Sequence, residues 1–170
     1  MPKGLKASSA PITVSFSVAE SAANTFTQNK VDLQLNVLDR EVFVVTGVNL
    51  DLLPPDANAG VDTRTRGQLS TTSRTAIGSL SSTNIIAIAR DDIRAAGFAD
   101  AGVGFSAMFG ESPAIGMEYL AIIATNDFFI AVEGDANAGA KAMTGKLYGY
   151  RAIADAATFA ALTQSELLSQ

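Results

Sequence analysis

The side chains that could carry out chemistry in this 170-residue sequence are carboxylates, lysines and tyrosines, because it contains no histidine and no cysteine. Their absence excludes a Ser-His-Asp triad, a cysteine nucleophile, and thiolate or imidazole metal sites. Glu41, Glu118 and Glu133 lie at the ends of predicted strands, and two carboxylates about 5–10 Å apart can hydrolyse a glycoside. Nothing in the sequence brings two of them together, and no tryptophan is present to stack on a sugar. We predict no catalytic residue and no enzyme.

Asp91 and Asp92 form an adjacent acidic pair with two interpretations. Calcium takes roughly six to eight oxygen ligands, and no EF-hand spacing surrounds this pair. Acids also favour the first turn of a helix, where they face the positive end of the helix dipole. We favour the second interpretation, so residues 91–96 are predicted to form a short helical insertion that Gly97 ends. No metal site is predicted.

The glycines do not form a phosphate-binding loop, because neither G-x-x-x-x-G-K-[ST] nor G-x-G-x-x-G occurs. No cofactor is therefore predicted. Gly145 and Gly149 lie in a run with strand-like alternation. Glycine inside a strand marks a bulge or a close approach of another group, and we expect one of these at both positions.

A small basic cluster consists of Arg64, Arg66 and Arg74, in a long polar stretch. In order of preference, these side chains pair with Asp56 and Asp62 nearby, form salt bridges to a neighbouring subunit, or contact nucleic acid. Arginine suits each role because its guanidinium binds carboxylates and phosphates bidentately. The three arginines are candidate subunit-interface residues.

The N-terminal ten residues carry Lys3 and Lys6 and no acid. We predict a flexible arm over residues 1–10, followed by a single domain over residues 11–170. The two lysines are candidates for contact with a polyanion, although a frayed terminus explains them equally well. The segment does not have the pattern of a signal peptide, because no continuous apolar run follows the lysines.

The composition indicates a neutral surface. Only 17% of the residues are charged, 48% are hydrophobic, and the net charge is −5. The negative charge argues against bulk nucleic-acid binding, and no apolar run is long enough for a membrane span. Interface cores are depleted in charge, so a homo-oligomer of many copies competes with a simple alanine-rich domain.

Alternating apolar and polar residues predict strands over residues 12–18 and 31–37. Residues 41–53 are apolar on both faces at first, which predicts a strand buried between two layers and ended by Pro54-Pro55. Asn126-Asp127 separates two short apolar runs and predicts a hairpin turn. Short, regularly spaced strands favour an antiparallel β-sandwich. The predicted core residues are Val31, Leu33, Leu35, Val37, Val44, Ile122 and Ile130.

In the last segment the apolar residues change from alternation to helical spacing, which predicts a C-terminal helix over residues 152–168. The apolar stripe of this helix is mostly alanine, so we expect it to bury little apolar area on the chain's own sheet. We therefore expect the helix to serve contacts between subunits more than its own fold. Its apolar anchors, and so candidate interface residues, are Phe159, Leu162, Leu167 and Leu168.

Three segments carry a resemblance to a known family. They are residues 39–46 (DREVFVVT), residues 118–130 with the run ATNDFFI, and residues 145–151 (GKLYGYR). In size and order the chain resembles the single jelly-roll capsid proteins of small icosahedral viruses, including environmental single-stranded DNA viruses. It lacks the arginine- and lysine-rich arm that many of these proteins have.

The resemblance implies a single jelly-roll β-sandwich, assembly into a shell from many copies of the same chain, and location in the virion. It also implies packaged nucleic acid held by weak contacts. We therefore interpret the chain as a structural, self-assembling subunit. The alternative is a β-sandwich binding module of the lectin or adhesin type, without catalysis.

Overall fold

The computed structural model describes residues 3–100, 102–107, 110–113 and 115–168. The described chain is mostly β-strand, with one 3₁₀ turn, Val37–Asp39, and one α-helix, α1 (Ala156–Leu168). The strands in chain order are β1 (Leu5–Ala7), β2 (Ile12–Ala19), β3 (Thr27–Asp32), β4 (Glu41–Leu52), β5 (Thr63–Ser70), β6 (Ile85–Arg94), β7 (Val103–Ala107), β8 (Gly110–Glu111), β9 (Ala121–Ile123), β10 (Asp127–Asp135) and β11 (Ala142–Ala154).

The strands form two antiparallel sheets. In the first sheet β11 lies between β2 and β4, β1 pairs with the end of β11, and both β8 and β9 pair with the far edge of β4. The second sheet has the order β3-β10-β5-β6-β7. No helix in the described residues is long and apolar enough to cross a membrane.

This strand order is that of a jelly roll. Strands β2, β4, β9 and β11 belong to the first sheet and β3, β5, β6 and β10 to the second, so the chain changes sheet at every connection between these eight strands except β5–β6. Each late strand returns to lie between two early ones: β11 between β2 and β4, and β10 between β3 and β5. Two interlocked Greek keys of this kind define the eight-stranded jelly-roll sandwich. The predicted fold class is confirmed.

The core lies between the two sheets and a second apolar cluster lies outside the first sheet. Alternate residues of β4 supply both, because successive side chains of a strand point to opposite faces. Phe43 and Val45 are buried in the main core, and Val42 and Val44 are buried in the outer cluster. The prediction that this strand lies between two layers is confirmed.

The layer that covers the outer cluster is α1, whose Phe159 and Leu162 pack against it. The helix begins at Ala156 and not at residue 152 as predicted, because residues 152–154 continue β11. Asp155 caps the helix, since its Oδ1 accepts the backbone N–H of Thr158 at 2.7 Å. Hydrogen bonding to Thr158 lowers the pKa of the Asp155 carboxyl.

The predicted helical insertion over residues 91–96 is wrong. Asp91 and Asp92 lie within strand β6, which runs to Arg94 and pairs with β5 on one side and β7 on the other. Hydrogen bonds to two neighbouring strands outweigh the local preference of an acidic pair for a helix start. Gly97 lies in the turn that follows β6, in a left-handed conformation with φ of 89°.

The predicted hairpin at Asn126-Asp127 is also wrong in its pairing. The chain does reverse there, but β9 pairs with β4 in the first sheet while β10 pairs with β3 and β5 in the second. The segment is a crossover between sheets. A turn dipeptide reports local backbone geometry and carries no information about which strand becomes the partner.

The N-terminal segment is not a free arm throughout. Residues 1–2 lie outside the described residues, but β1 pairs with β11, with Leu5 opposite Ala154. Leu5 is buried in the outer cluster beneath α1, and Lys3 and Lys6 are exposed. A single large apolar side chain therefore anchors the segment to the sandwich.

Of the predicted core residues, Leu33, Leu35, Val44 and Ile130 are buried. Val31 and Ile122 are half-buried. Val37 is 55% exposed, so that prediction is wrong. The chain leaves the sheet after Asp32 and forms the 3₁₀ turn, whose Leu38 N–H is capped by the side chain of Asn36.

Candidate functional site

The outer face of the second sheet carries the arginines that the sequence singled out. On β5, Arg64 and Arg66 point to this face, opposite Asp92 and Arg90 of β6. Arg64 Nε lies 2.5 Å from Asp92 Oδ1, and Arg66 Nη2 lies 2.9 Å from Glu133 Oε2 of β10. Arg66 and Glu133 therefore neutralise each other, which removes Glu133 as a free catalytic carboxylate.

The predicted pairing of these arginines with Asp56 and Asp62 is wrong, because both acids have other partners. Asp62 binds Arg94 and the backbone N–H groups of Ala95 and Ala96, while Asp56 binds Lys141. Arg74 lies apart, with Nη1 donating to Asn84 Oδ1 at 3.1 Å. The structure brings Arg64 and Arg66 together and leaves Arg74 outside their ion pairs.

A polar cluster at one end of the sandwich was not predicted. Lys141 is buried, and its Nζ donates to Pro54 O at 2.9 Å and Asp56 Oδ1 at 2.6 Å. Glu20 is also buried, and it accepts backbone N–H groups from Thr25, Gly134 and Lys141. The cluster joins the β2–β3, β4–β5 and β10–β11 loops into one rigid end.

The Lys141 contact and the Ala138 backbone N–H hold the pKa of Asp56 below its ordinary value. A carboxyl whose pKa is lowered on folding stabilises the fold above its unfolded pKa, and this contribution is lost as the pH falls through the lowered value. Asp56→Asn should therefore lower the Tm at neutral pH, and the difference from wild type should shrink towards about pH 2.

Thermal unfolding at stepped pH values measures this effect. Asp51→Asn is the matched control, since Asp51 is exposed on β4, and we expect it to leave the Tm unchanged. A difference between Asp56→Asn and wild type that stays constant down to the lowest pH would contradict the assignment.

Glu41, another of the carboxylates considered as catalytic candidates, is also held in a structural role. Glu41 accepts the hydroxyl of Ser8 at 2.7 Å and the backbone N–H of Asn36 at 3.1 Å. Glu41 belongs to the first sheet and Glu133 to the second, so the fold gives them no shared site. Among the described residues no group of three or more carboxylates is placed to hold a metal ion.

The C-terminal helix divides its predicted anchors between two surfaces. Phe159 and Leu162 are half-buried and pack on the chain's own outer cluster, and their role in a subunit interface stays a prediction. Leu167 and Leu168 are 59% and 77% exposed. With their neighbours they line a shallow apolar groove, here called the helix strip: Phe159, Ala160, Thr163, Gln164, Leu167 and Leu168.

The end of α1 is held in place by Glu166, a residue that nothing in the sequence distinguishes from a surface glutamate. Its two carboxylate oxygens accept the backbone N–H groups of Ala124 and Thr125, each at 3.0 Å. Burial raises the pKa of Glu166, because the charged form loses solvation. This contact fixes the neighbouring Leu167 and Leu168 on the surface.

Other exposed apolar side chains lie on loops and on a sheet edge. Ile115 and Met117 are exposed around Gly116, whose φ of 91° makes a sharp turn. Val103 and Phe105 are 49% and 57% exposed on β7, the last strand of the second sheet. An edge strand offers unpaired backbone groups, and β7 has neither a charged residue nor a proline to block pairing.

The fold defines the class: a single jelly-roll sandwich with one helix on its outer face.

No protein-family model and no curated protein sequence matches the chain. Solved structures with a distant likeness include chains from two plant viruses. A chain of desmodium yellow mottle tymovirus is 10% identical with a TM-score of 0.28, over 86% of this chain and 90% of that chain. A chain of turnip yellow mosaic virus is 11% identical with a TM-score of 0.27, over 92% and 89%. Because both TM-scores are low, the fold assignment rests on the strand order.

Proposed function

We propose that the protein is a structural subunit that assembles with copies of itself into a closed shell, as a viral capsid protein does. The observation that carries the proposal is the set of large apolar side chains left exposed on a chain of low charge. They occur on the helix strip, on the loop around Gly116 and on β7. The helix strip is a continuous apolar surface, and contiguous exposed apolar surface marks interaction sites in soluble proteins.

The jelly-roll fold is compatible with this role but does not distinguish it from others, because viral capsid proteins, lectins and cupins share the architecture. A lectin-type module is less well supported. A sugar-binding module would be expected to expose tryptophan or tyrosine rings, but the chain has no tryptophan and its tyrosines, Tyr119, Tyr148 and Tyr150, are half-buried. The surface therefore favours protein partners.

The finer parts of the proposal follow from the shell role. The location would be the virion, and similarity to coat proteins of single-stranded DNA viruses stays a prediction. Arg64 and Arg66 are engaged within the chain, so their part in an interface would require exchange of ion pairs. Lys3 and Lys6 are exposed and would give a packaged nucleic acid only weak contacts.

The helix strip provides the test of an interface. Leu167→Ser combined with Leu168→Ser should leave the chain folded, because both side chains are exposed, and should reduce the assembled fraction at least about tenfold. Leu167→Met with Leu168→Met is the control, since it keeps the strip apolar and should assemble like wild type. Circular dichroism checks the fold and sedimentation velocity measures the assembled fraction. Normal assembly of the serine variant would exclude the strip as an interface.

A further inference from the structure

The outer face of the second sheet contains a groove that is separate from the exposed apolar side chains on which the proposed shell role rests. The segment that joins β5 to β6 folds back over this face, and the Gly78 N–H donates to Gln68 Oε1 at 2.8 Å. Gln68 is fully buried beneath the segment. The space between the segment and the sheet has a volume of about 310 Å³. Its lining, here called the arginine groove, is Arg66, Ile77, Gly78, Ser79, Leu80, Ile88 and Arg90.

The sheet register places two arginines opposite each other in this groove. Arg66 of β5 lies directly opposite Arg90 of β6, and Gln68 lies opposite Ile88. Because side chains alternate along a strand, Arg90 and Ile88 point to the same face. The groove therefore has a charged end formed by Arg66 and Arg90, and an apolar wall formed by Ile88 with Ile77 and Leu80.

Each arginine of the groove has one paired carboxylate, but the carboxylate that pairs with Arg90 is shared. Glu133 pairs with Arg66, while Asp92 serves two arginines: its Oδ1 lies 2.5 Å from Arg64 Nε and its Oδ2 lies 3.2 Å from Arg90 Nε. Arg90 therefore shares the Asp92 carboxylate with Arg64, which does not line the groove. Asp135 lies opposite Arg64 in the sheet and does not line the groove either.

One donor of Arg66 has no partner within the chain. The Nε of Arg66 is buried and has no hydrogen-bond partner among the described residues. Like charges directly opposite each other on neighbouring strands are destabilising. An anion between Arg66 and Arg90 would reduce the repulsion that remains beside their ion pairs with Glu133 and Asp92, and it would accept charge-assisted hydrogen bonds from the two guanidinium groups.

We propose that the arginine groove binds a small organic anion, a carboxylate or a phosphate attached to a short apolar group. The anionic head lies between Arg66 and Arg90, and the apolar group lies against Ile77, Leu80 and Ile88. The volume is near the lower end of the roughly 300–1,000 Å³ typical of ligand pockets, so the ligand is small.

Titration of the full chain with octanoate and with phenyl phosphate, followed by isothermal calorimetry, tests the proposal. We expect at least one of the two to bind, and the one that binds identifies the head group. Octanol lacks the charge and inorganic phosphate lacks the apolar group, so each should bind at least about tenfold more weakly. If neither probe binds at millimolar concentration, or if inorganic phosphate binds as well as phenyl phosphate, the proposal is overturned.

Two variants and one control locate the binding. Arg90→Gln should weaken binding at least about tenfold, and Leu80→Ser should weaken it through loss of the apolar wall. Arg94→Gln is the control, because Arg94 lies on the same strand, pairs with Asp62 and does not line the groove. Side-chain exposure is similar, at 48% for Arg94 and 53% for Arg90. Equal binding by Arg90→Gln and wild type would overturn the proposal.

Discussion

Gly149→Ala should lower the free energy of unfolding by about 3 kcal/mol or more, or prevent folding. Gly149 lies in β11 opposite Val45, next to a bulge in the β4–β11 pairing. A Cβ at this position would collide with the Val44 carbonyl oxygen and would lie 2.5 Å from Cε1 of Phe43. The carbonyl is held by the sheet and the Phe43 ring is fully buried, so neither can move aside.

Gly139→Ala is the matched control for this substitution. A Cβ at Gly139 meets nothing within 4 Å and its φ is not in the left-handed region. Its unfolding free energy should stay within about 0.5 kcal/mol of wild type. Urea denaturation followed by circular dichroism measures both variants. Equal stability of the two would show that β4 and β11 do not approach as closely as the pairing requires.

Phe128→Ala should cost about 3–5 kcal/mol of stability. Phe128 is fully buried in the main core, and its ring meets the ring of Phe16 edge to face, with centroids 5.8 Å apart and an interplanar angle of 75°. This contact joins β2 of the first sheet to β10 of the second, so its loss leaves a cavity between the sheets.

Phe105→Ala controls for the loss of an aromatic ring as such. Phe105 is 57% exposed on β7, so its removal opens no cavity and should change the unfolding free energy by no more than about 0.5 kcal/mol. The same urea experiment compares the two variants. A cost below about 1 kcal/mol for Phe128→Ala would place this ring outside the core and contradict the sandwich packing.

The two-layer architecture could be predicted because strand alternation is a local property of the sequence. Residues 41–53 show this well: apolar side chains on both faces require a covering layer on each side, and the second sheet and α1 supply them. The sequence also predicts a bulge or a close approach at Gly145 and Gly149. The structure shows a close approach at both, since a Cβ at either would meet the backbone oxygen of a β4 residue.

Pairing partners could not be predicted, because they depend on residues far apart in the chain. The local sequence predicts a helix at Asp92. Its cross-strand ion pair with Arg64 and the hydrogen bonds on both sides of β6 hold it in a sheet instead. Lys141 and Asp56 are 85 residues apart, and no local pattern connects them. Most of the polar contacts at the candidate sites are of this kind.

The measurement that tests the central claim most directly is the size of the purified full chain at micromolar concentration. Sedimentation velocity and negative-stain electron microscopy over a range of salt and pH are sufficient. The proposed shell role predicts closed particles of uniform diameter, held by interfaces larger than about 800 Å² per partner. A monomer under every condition would contradict it.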